Sequence, residues 1–200
     1  MLPMKQKAVF FDRDGTLLEL VYNQDTEVID SPSNPGEVKL FPDIAETLKH
    51  LKSLGYLLII VSNQPRIGIG KLTEEMFEKI RAKFNEELKK GSVALDQEYY
   101  CFHHPFASIE KYRKTCECRK PGIGFFKEAE KEFNIDLSKS WMVGDGVNDI
   151  IAGKRAGTKT ILVTNLLESA YLSIFEQQLG ENEPDFIVKK TKDITGIIKE

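Results

Sequence analysis

The chain has 200 residues, of which 41% are hydrophobic and 30% charged, and its formal net charge is −3, a balance typical of an ordinary soluble globular domain with a buried core. Residues 1–7 lack the pattern of a signal peptide and no apolar run is long enough to span a bilayer, so we expect one domain over residues 1–200, in the cytoplasm and without a membrane partner. Acidic and basic residues are interspersed, which argues against a nucleic-acid partner and favours a small anionic metabolite held in a local basic pocket.

Short apolar runs alternate with stretches of helical periodicity along the chain. We predict strands at residues 7–11, 56–61, 98–102, 141–144, 160–163 and 185–188. We predict helices at residues 44–54, 73–90, 122–133, 147–156, 168–179 and 193–199, the first of them capped by Asp43 and stopped by Gly55. Strands that are apolar on both faces and separated by helices indicate an α/β fold with a doubly wound, Rossmann-like and mostly parallel sheet that carries helices on both faces.

The segment from Glu19 to Leu40 interrupts this alternation. It shows no periodicity and contains the turn-rich sequence Ser31-Pro32-Ser33-Asn34-Pro35-Gly36. A stretch of this length without regular structure is uncommon in a compact domain, so we expect a functional or mobile loop.

Two carboxylates follow the first predicted strand. In extended backbone the side chains of Asp12 and Asp14 can point the same way, with Arg13 pointing elsewhere. Clustered carboxylates repel each other unless a cation lies between them or one keeps its proton. The pair therefore suggests a magnesium site with one carboxylate free to attack, although a strand ending in a polar turn is an ordinary alternative.

Polar residues also follow three of the later strands. Ligands bind outside the carboxyl ends of the strands in such sheets, so these residues should converge on one crevice. Taken singly, each group is more often a polar turn or a solvated surface, and it is their order at successive strand ends that favours a shared site. The residues are Ser62, Asn63, Gln64, Arg119, Lys120, Asp145 and Asp149.

Across the first four strands, the ordered motifs built on Asp12 and Asp14, Ser62, Lys120, and Asp145 with Asp149 closely resemble those of the haloacid dehalogenase superfamily of phosphatases. The resemblance extends to about residue 165 and implies a magnesium-dependent enzyme that hydrolyses phosphate monoesters through an aspartyl-phosphate.

That resemblance implies a role for each residue. Asp12 would be the nucleophile and Asp14 the general acid and then base. Magnesium would be held by Asp12, by the carbonyl oxygen of Asp14 and by Asp145. Ser62 would donate hydrogen bonds to a phosphoryl oxygen, and Lys120 would neutralise its charge. Asp149 would orient Lys120 or a metal-bound water.

The three cysteines are an odd number in a reducing compartment, which argues against a disulfide framework. Two close pairs, Cys101 with His103 and Cys116 with Cys118, would supply three sulfurs and one imidazole to a tetrahedral structural zinc ion in a loop over residues 101–118. Spacing leaves His104 open as the ligand in place of His103, and buried free cysteines with a surface histidine are the plainer alternative. A closed loop would also fix the cations that follow it.

The sequence Cys-x-His with Cys-x-Cys-Arg-Lys-Pro further resembles two groups of small capless phosphatases, those that act on D-glycero-D-manno-heptose 1,7-bisphosphate and on histidinol phosphate, and it looks most like the heptose group. The resemblance implies that Arg119 contacts the sugar phosphate, that Asn63 and Gln64 belong to the substrate site, and that no large cap domain is present. Residues 19–40 and the zinc loop would then form the substrate wall.

Three features differ from that heptose group: Pro65-Arg66-Ile67 replaces Ser-Gly-Ile, Gly146 replaces a lysine, and the segment over residues 19–40 is long. Arg66 could restore positive charge near a second phosphate, or it could be an idle surface residue. A different class of function is a zinc-dependent binding module, which the weakly basic run Tyr112-Arg113-Lys114 would serve. No exposed apolar seam is apparent in the sequence, so we expect a monomer.

Overall fold

Six strands form one parallel sheet at the centre of the computed structural model, which describes residues 5–24, 27–165 and 175–199. The strands of the described chain are β1 Lys7–Phe11, β2 Val21–Asn23, β3 Val28–Asp30, β4 Tyr56–Asn63, β5 Gln97–Cys101, β6 Trp141–Gly144, β7 Lys159–Val163 and β8 Phe186–Val188. The sheet order is β5-β4-β1-β6-β7-β8, with every pair parallel. Sequence order reverses on either side of β1, which makes the sheet doubly wound, as predicted.

Helices connect the strands. The α-helices are α1 Ile44–Ser53, α2 Pro65–Gly68, α3 Glu74–Lys90, α4 Gly124–Phe133 and α5 Val147–Ala156, and residues 175–179 are also helical. Short 3₁₀ helices cover Pro35–Glu37, Glu110–Tyr112, Leu137–Lys139 and Thr191–Gly196. None of the helices in the described ranges is long and apolar enough to cross a lipid bilayer.

Strand β1 lies between β4 and β6, and its side chains are buried on both faces of the sheet. Val9 and Phe11 belong to a core cluster that includes residues of α1 and α3. Phe10 belongs to the cluster on the opposite face, where its ring centroid lies 4.8 Å from that of Phe126 in α4. This two-sided burial explains why β1 is a continuous apolar run, and it places the residues that follow Phe11 at the centre of the sheet edge.

The termini of two predicted helices differ from expectation. Asp43 does not cap α1 with its side chain; it has a positive φ of 66°, and its carboxylate pairs with Lys192 at 3.0 Å. The C-terminal helix predicted over residues 193–199 is instead the 3₁₀ helix Thr191–Gly196, since burial of Thr191 and Ile194 follows its three-residue repeat. Of the helix predicted over residues 168–179, residues 168–174 lie outside the described ranges.

Residues 19–40 contain regular structure that we did not predict. Strands β2 and β3 pair antiparallel with Tyr22 opposite Ile29, and the 3₁₀ helix Pro35–Glu37 follows them. Tyr22 and Ile29 are 56% and 58% exposed. Because each strand has only three residues and neither buries one face, the sequence carries no alternating pattern there.

Arg66 of α2 fastens this segment to the domain. Its Nη1 donates to the carbonyl oxygens of Ser31 and Pro32, and its Nη2 donates to Ser33 Oγ at 2.7 Å. Its Nε lies 3.6 Å from a carboxylate oxygen of Asp30. The side chain is only 13% exposed, so Arg66 is not an idle surface residue.

Candidate active site

The predicted site residues meet at the carboxyl edge of the sheet, where β1, β4 and β6 lie side by side. Asp12 follows β1 and its backbone N–H donates to Val143 of β6 at 3.0 Å. Asp145 follows β6 directly, and Asp149 lies in the first turn of α5. The parallel register therefore brings together carboxylates that are more than 130 residues apart in the chain.

Lys120 reaches these carboxylates from the loop after β5. Its Nζ lies 2.7 Å from Asp12 Oδ1 and 2.6 Å from Asp149 Oδ1, and it also donates to the carbonyl oxygen of Val61. The side chain is 2% exposed. Burial alone would lower the pKa of Lys120, but the charges of Asp12 and Asp149 outweigh it and raise that pKa, so Lys120 is a permanent cation of the site.

Three carboxylates surround one small space. One oxygen each of Asp12, Asp145 and Asp149 lies within 4.8 Å of the others. Burial is the main cause that raises the pKa of Asp12 to about 6, and Asp149 and Asp14 add to it while Lys120 opposes it. Burial also raises the pKa of Asp145 well above its usual value, with help from the charges of Asp12 and Asp149. The positive charge of Lys120 cannot balance three such carboxylates.

The local backbone leaves room for the Asp145 carboxylate. Gly15 has a φ of +80°, and a Cβ at this position would lie 2.0 Å from Asp145 Oδ2. The hydroxyl of Thr16 donates to Asp145 Oδ1 at 3.3 Å. Oxygen donors with excess negative charge are the ligands that Mg²⁺ prefers, so the residues present fit a magnesium ion.

We expect magnesium binding to depend on pH. The pKa of Asp12 is raised from 3.8 to about 6 in the metal-free folded protein. Protonated Asp12 therefore favours the folded state at low pH, and this contribution to stability is lost as the pH rises from about 4 to about 6. Above that pH Asp12 is ionised, and protons compete less with the metal for its carboxylate. Magnesium at about 100 times its dissociation constant should raise the melting temperature by about 5–10 °C at pH 7.5 and by much less at pH 5.

Thermal unfolding at the two pH values, with and without magnesium, measures this effect. Asp145→Asn should remove most of the magnesium-dependent shift at pH 7.5. An equal shift at both pH values would contradict the assignment of the metal to these carboxylates.

The Asp14 side chain does not join this cluster. Arg13 Nε and Nη2 donate to the two Asp14 oxygens at 3.1 and 3.0 Å, and Gln64 Nε2 donates to Oδ2 at 2.7 Å. The possibility that Asp12 and Asp14 point the same way assumed extended backbone, whereas β1 ends at Phe11 and the backbone then turns, with the N–H of Leu17 bonded to the carbonyl oxygen of Arg13. The alternation of an extended strand does not apply beyond that point.

The three residues predicted to follow the second strand are all at the end of β4, Ser62 and Asn63 as its last two residues and Gln64 directly after it, and each of them contacts protein groups. Asn63 donates to the Lys120 carbonyl oxygen at 3.0 Å and accepts from the Lys120 N–H at 2.9 Å. Gln64 is 3% exposed and, besides Asp14, it donates to Ser62 Oγ at 3.1 Å. Asn63 therefore holds the Lys120 backbone in place, while Gln64 joins Ser62 to Asp14.

A second cluster of possible metal ligands lies beside this edge. Cys116 Sγ and Cys118 Sγ are 2.9 Å apart, Cys101 Sγ is 3.2 Å from Cys118 Sγ, and His103 Nδ1 is 3.3 Å from Cys118 Sγ. All four donor atoms lie within 4.8 Å of one another and the cysteines are free thiols. Three sulfurs and one nitrogen around a common point fit a tetrahedral structural zinc ion.

The structure distinguishes between the two candidate histidine ligands of the zinc site. His103 belongs to the group of four donors, whereas His104 Nδ1 accepts a hydrogen bond from the backbone N–H of Phe106 at 3.1 Å. We expect His103→Ala to bind zinc at least 10-fold more weakly and His104→Ala to keep about one zinc per chain. Elemental analysis of both purified variants after dialysis measures this, and zinc loss from His104→Ala alone would contradict the assignment.

The zinc loop leads directly into the cations of the site. Arg119 Nη1 donates to the carbonyl oxygen of His103 at 3.2 Å, so the side chain lies against the loop. Lys120 follows and is fixed on both sides of its backbone by Asn63. The loop thus positions both predicted cations, although only Lys120 contacts the carboxylates.

Several residues at the site, besides Thr16, were not predicted from the sequence. Arg13 is 1% exposed and pairs with Asp14. Asn165 donates to the Gly15 carbonyl oxygen at 3.0 Å, and the Thr191 hydroxyl donates to the carbonyl oxygen of Thr16 at 2.6 Å. Asn165 and Thr191 hold the turn after β1 from the far end of the chain, and no local sequence pattern marks such contacts.

Comparisons with known proteins agree with this geometry. A family model described as a haloacid dehalogenase-like hydrolase matches residues 33–157. Proteins named D-glycero-beta-D-manno-heptose-1,7-bisphosphate 7-phosphatase are similar to the chain: that of Escherichia coli O6:H1 is 34% identical over 96% of this chain and 94% of its own, and that of Haemophilus ducreyi is 34% identical over 96% and 97%.

Solved structures share the fold. The D,D-heptose 1,7-bisphosphate phosphatase of B. bronchiseptica, crystallised with magnesium and phosphate, superposes with a TM-score of 0.75 over 96% of this chain and 97% of its own, at 21% identity. The family match covers more than half of the chain, and the sequence relatives cover nearly all of it. The chain therefore belongs to the haloacid dehalogenase-like hydrolases.

Proposed function

We propose that the protein is a magnesium-dependent phosphatase that removes the 7-phosphate of D-glycero-D-manno-heptose 1,7-bisphosphate. The observation that supports it most strongly is the convergence of Asp12, Asp145 and Asp149 with Lys120, in a chain whose relatives at 34% identity bear the name of this activity. A carboxylate nucleophile, a buried cation and a metal-binding carboxylate cluster are what phosphoryl transfer through an aspartyl-phosphate requires.

In the proposed reaction, a carboxylate oxygen of Asp12 forms a bond to phosphorus while the bond from phosphorus to the sugar oxygen breaks. Asp14 gives its proton to that leaving oxygen, and in the second step it takes a proton from the water that hydrolyses the aspartyl-phosphate. Lys120 keeps Asp12 oriented through its 2.7 Å contact and offsets the negative charge of the phosphoryl group. Bound magnesium would reduce the repulsion between the phosphate and the carboxylates.

The substrate would be bound by groups around this centre. Ser62 would donate to a phosphoryl oxygen, and its Oγ is oriented by the hydrogen bond from Gln64. Arg119 would contact the sugar phosphate from the zinc loop. The segment with β2 and β3, held by Arg66, would form the wall opposite the zinc loop in the absence of a large cap domain.

The test compares two phosphate monoesters. Purified protein with zinc and magnesium should release phosphate from the heptose bisphosphate with a kcat/KM at least about 100-fold higher than from histidinol phosphate, because contacts to the sugar hydroxyls and the second phosphate would be lost with the latter. ³¹P NMR of the product should show that the 1-phosphate remains.

Other outcomes would replace the proposal. A preference for histidinol phosphate would assign the chain to the other capless group. A lack of magnesium-dependent phosphate release from a broad panel of esters, together with tight nucleic-acid binding, would favour a zinc-dependent binding module. The single domain over residues 1–200, the cytoplasmic location and the monomeric state stay predictions.

A further inference from the structure

Arg13 is a buried charge that pairs with Asp14, the acid and base of the proposed reaction. It is 1% exposed, and it contacts Asp14 side-on, with Nε 3.1 Å from Oδ1 and Nη2 3.0 Å from Oδ2. Both oxygens of Asp14 are therefore held by one planar group. Gln64 adds a third donor at 2.7 Å, on Oδ2. A planar fork fixes the rotation of a carboxylate as well as its position.

The guanidinium is itself held in place by two aromatic rings. Its Cζ lies 5.2 Å from the ring centroid of Phe77 in α3 and 5.4 Å from that of Tyr100 in β5. The two rings meet edge to face, with their centroids 4.9 Å apart. Cation–π contacts with two fixed rings restrict the plane in which the Arg13 fork can lie.

Tyr100 is fixed in turn by Glu98 of β5, which contacts α3. Its hydroxyl donates to Glu98 Oε2 at 2.6 Å. Glu98 Oε1 accepts from Arg81 Nη2 at 3.1 Å and from Asn85 Nδ2 at 2.9 Å. A continuous set of contacts therefore runs from Asp14 through Arg13 and Tyr100 to α3, and it leaves the Asp14 carboxyl little rotational freedom.

A gain in folding stability does not explain why Arg13 is buried against Asp14. Removing a guanidinium from water is expensive, and a buried ion pair is often no more stabilising than apolar side chains of similar volume. Arg13 Nη1 is buried and has no hydrogen-bond partner among the described residues, which adds to the cost. The ion pair gives Asp14 a defined orientation, which an apolar side chain in place of Arg13 could not do.

We propose that Arg13 is a positioning residue that orients Asp14 for proton transfer to the leaving oxygen. The inference rests on the proposed function. When the bond from Asp12 to phosphorus forms, the electron pair of the breaking bond goes to the leaving oxygen, and the Asp14 proton moves to that oxygen. Arg13 then pairs with the carboxylate that remains, so its contact is strongest after the proton has left.

This role makes the effect of Arg13 depend on the leaving group. A sugar alkoxide is strongly basic and needs the proton from Asp14, whereas 4-nitrophenolate is a good leaving group without one. A misplaced Asp14 should therefore slow phosphoryl transfer from an alkyl ester much more than from an aryl ester. A general disturbance of the fold would slow both.

The experiment measures single-turnover release of the leaving group from the heptose bisphosphate and from 4-nitrophenyl phosphate. Arg13→Met should slow release of the sugar about 100-fold or more, the size of a general-acid contribution, and release of 4-nitrophenol less than 10-fold. Arg13→Lys keeps the charge without the fork and should give an intermediate ratio. If Arg13→Met does not fold, the two rates of Arg13→Lys are compared with those of the wild type instead.

Lys83→Met is the control, because it removes a charge of α3 whose partners, Glu86 and Glu87, lie outside the contacts that lead to Asp14. It should leave the ratio of the two rates unchanged. Equal slowing of both substrates by the Arg13 variants would overturn the positioning role while leaving the phosphatase intact. A wild-type protein that releases neither leaving group would overturn the proposed function and this role with it.

Discussion

Asp12→Asn is expected to lower kcat for hydrolysis of the phosphate ester by about 10⁴-fold or more. The amide has nearly the shape of the carboxylate, and its oxygen can still accept the hydrogen bond from Lys120. It cannot attack phosphorus, so the aspartyl-phosphate does not form. Steady-state assays with the heptose bisphosphate at saturating magnesium measure the loss.

The same change should not damage the fold. The raised pKa of Asp12, about 6, means that its ionised form is disfavoured in the folded protein, so a neutral side chain should leave the metal-free protein at pH 7.5 at least as stable as the wild type. Activity and stability would then move independently. Retention of a tenth of the activity or more would contradict nucleophilic attack by Asp12.

Asp43→Asn is a suitable control for the exchange of aspartate for asparagine. Asp43 pairs with Lys192 at the surface and has a positive φ, which asparagine tolerates well. The free energy of unfolding should change by less than about 1 kcal/mol. The kcat should stay within about 2-fold of the wild-type value, because Asp43 pairs with Lys192 and is not one of the clustered carboxylates.

The second large effect is expected from Lys120→Met. Loss of the ammonium leaves Asp12 and Asp149 buried without the cation that contacts both, and breaking such a pair costs roughly 3–5 kcal/mol of unfolding free energy. The kcat should fall by about 10²–10³-fold or more, since the charge of the phosphoryl group is no longer offset. Chemical denaturation and steady-state kinetics on the same preparation measure both effects.

Two further variants identify the cause. Lys154→Met removes a partly exposed pair with Asp185 and should cost less than about 1 kcal/mol. The double variant Lys120→Met with Asp149→Asn removes both partners of one contact, so it should recover part of the lost stability without recovering activity. No recovery would mean that packing, rather than charge, accounts for the effect of Lys120.

The central strands of the sheet were predictable because their side chains are buried on both faces. Residues 7–11 and 141–144 are buried on both faces, so they appear as apolar runs, and the structure places strands at the same residues. The pair β2 and β3 lacks such burial, since Tyr22 and Ile29 are exposed. Its position depends instead on hydrogen bonds from Arg66 to main-chain carbonyl oxygens. Every residue has a carbonyl oxygen, so the sequence cannot show which residues accept these bonds.

The residues that meet at the candidate site were easier to predict from the sequence than the contacts they make there. Asp12, Lys120 and Asp149 meet because parallel strands place their carboxyl ends at one edge. The separation of the Asp14 side chain from that group could not be inferred, because it depends on the turn after β1 and on the contacts of Asp14 with Arg13 and Gln64. Likewise, Asn63 and Gln64 matched a substrate motif, but their amides bond to neighbouring protein groups.

The two hydrogen bonds between Asn63 and the Lys120 backbone have a consequence for how the molecule forms. They join residues 57 apart in sequence, and the contact of Lys120 with Asp12 spans 108 residues. Closing such long loops costs entropy that is repaid only when the strands in between have paired. We therefore expect catalytic competence to arise last in folding, after the sheet is complete, so that a half-folded chain leaving the ribosome has no hydrolytic centre.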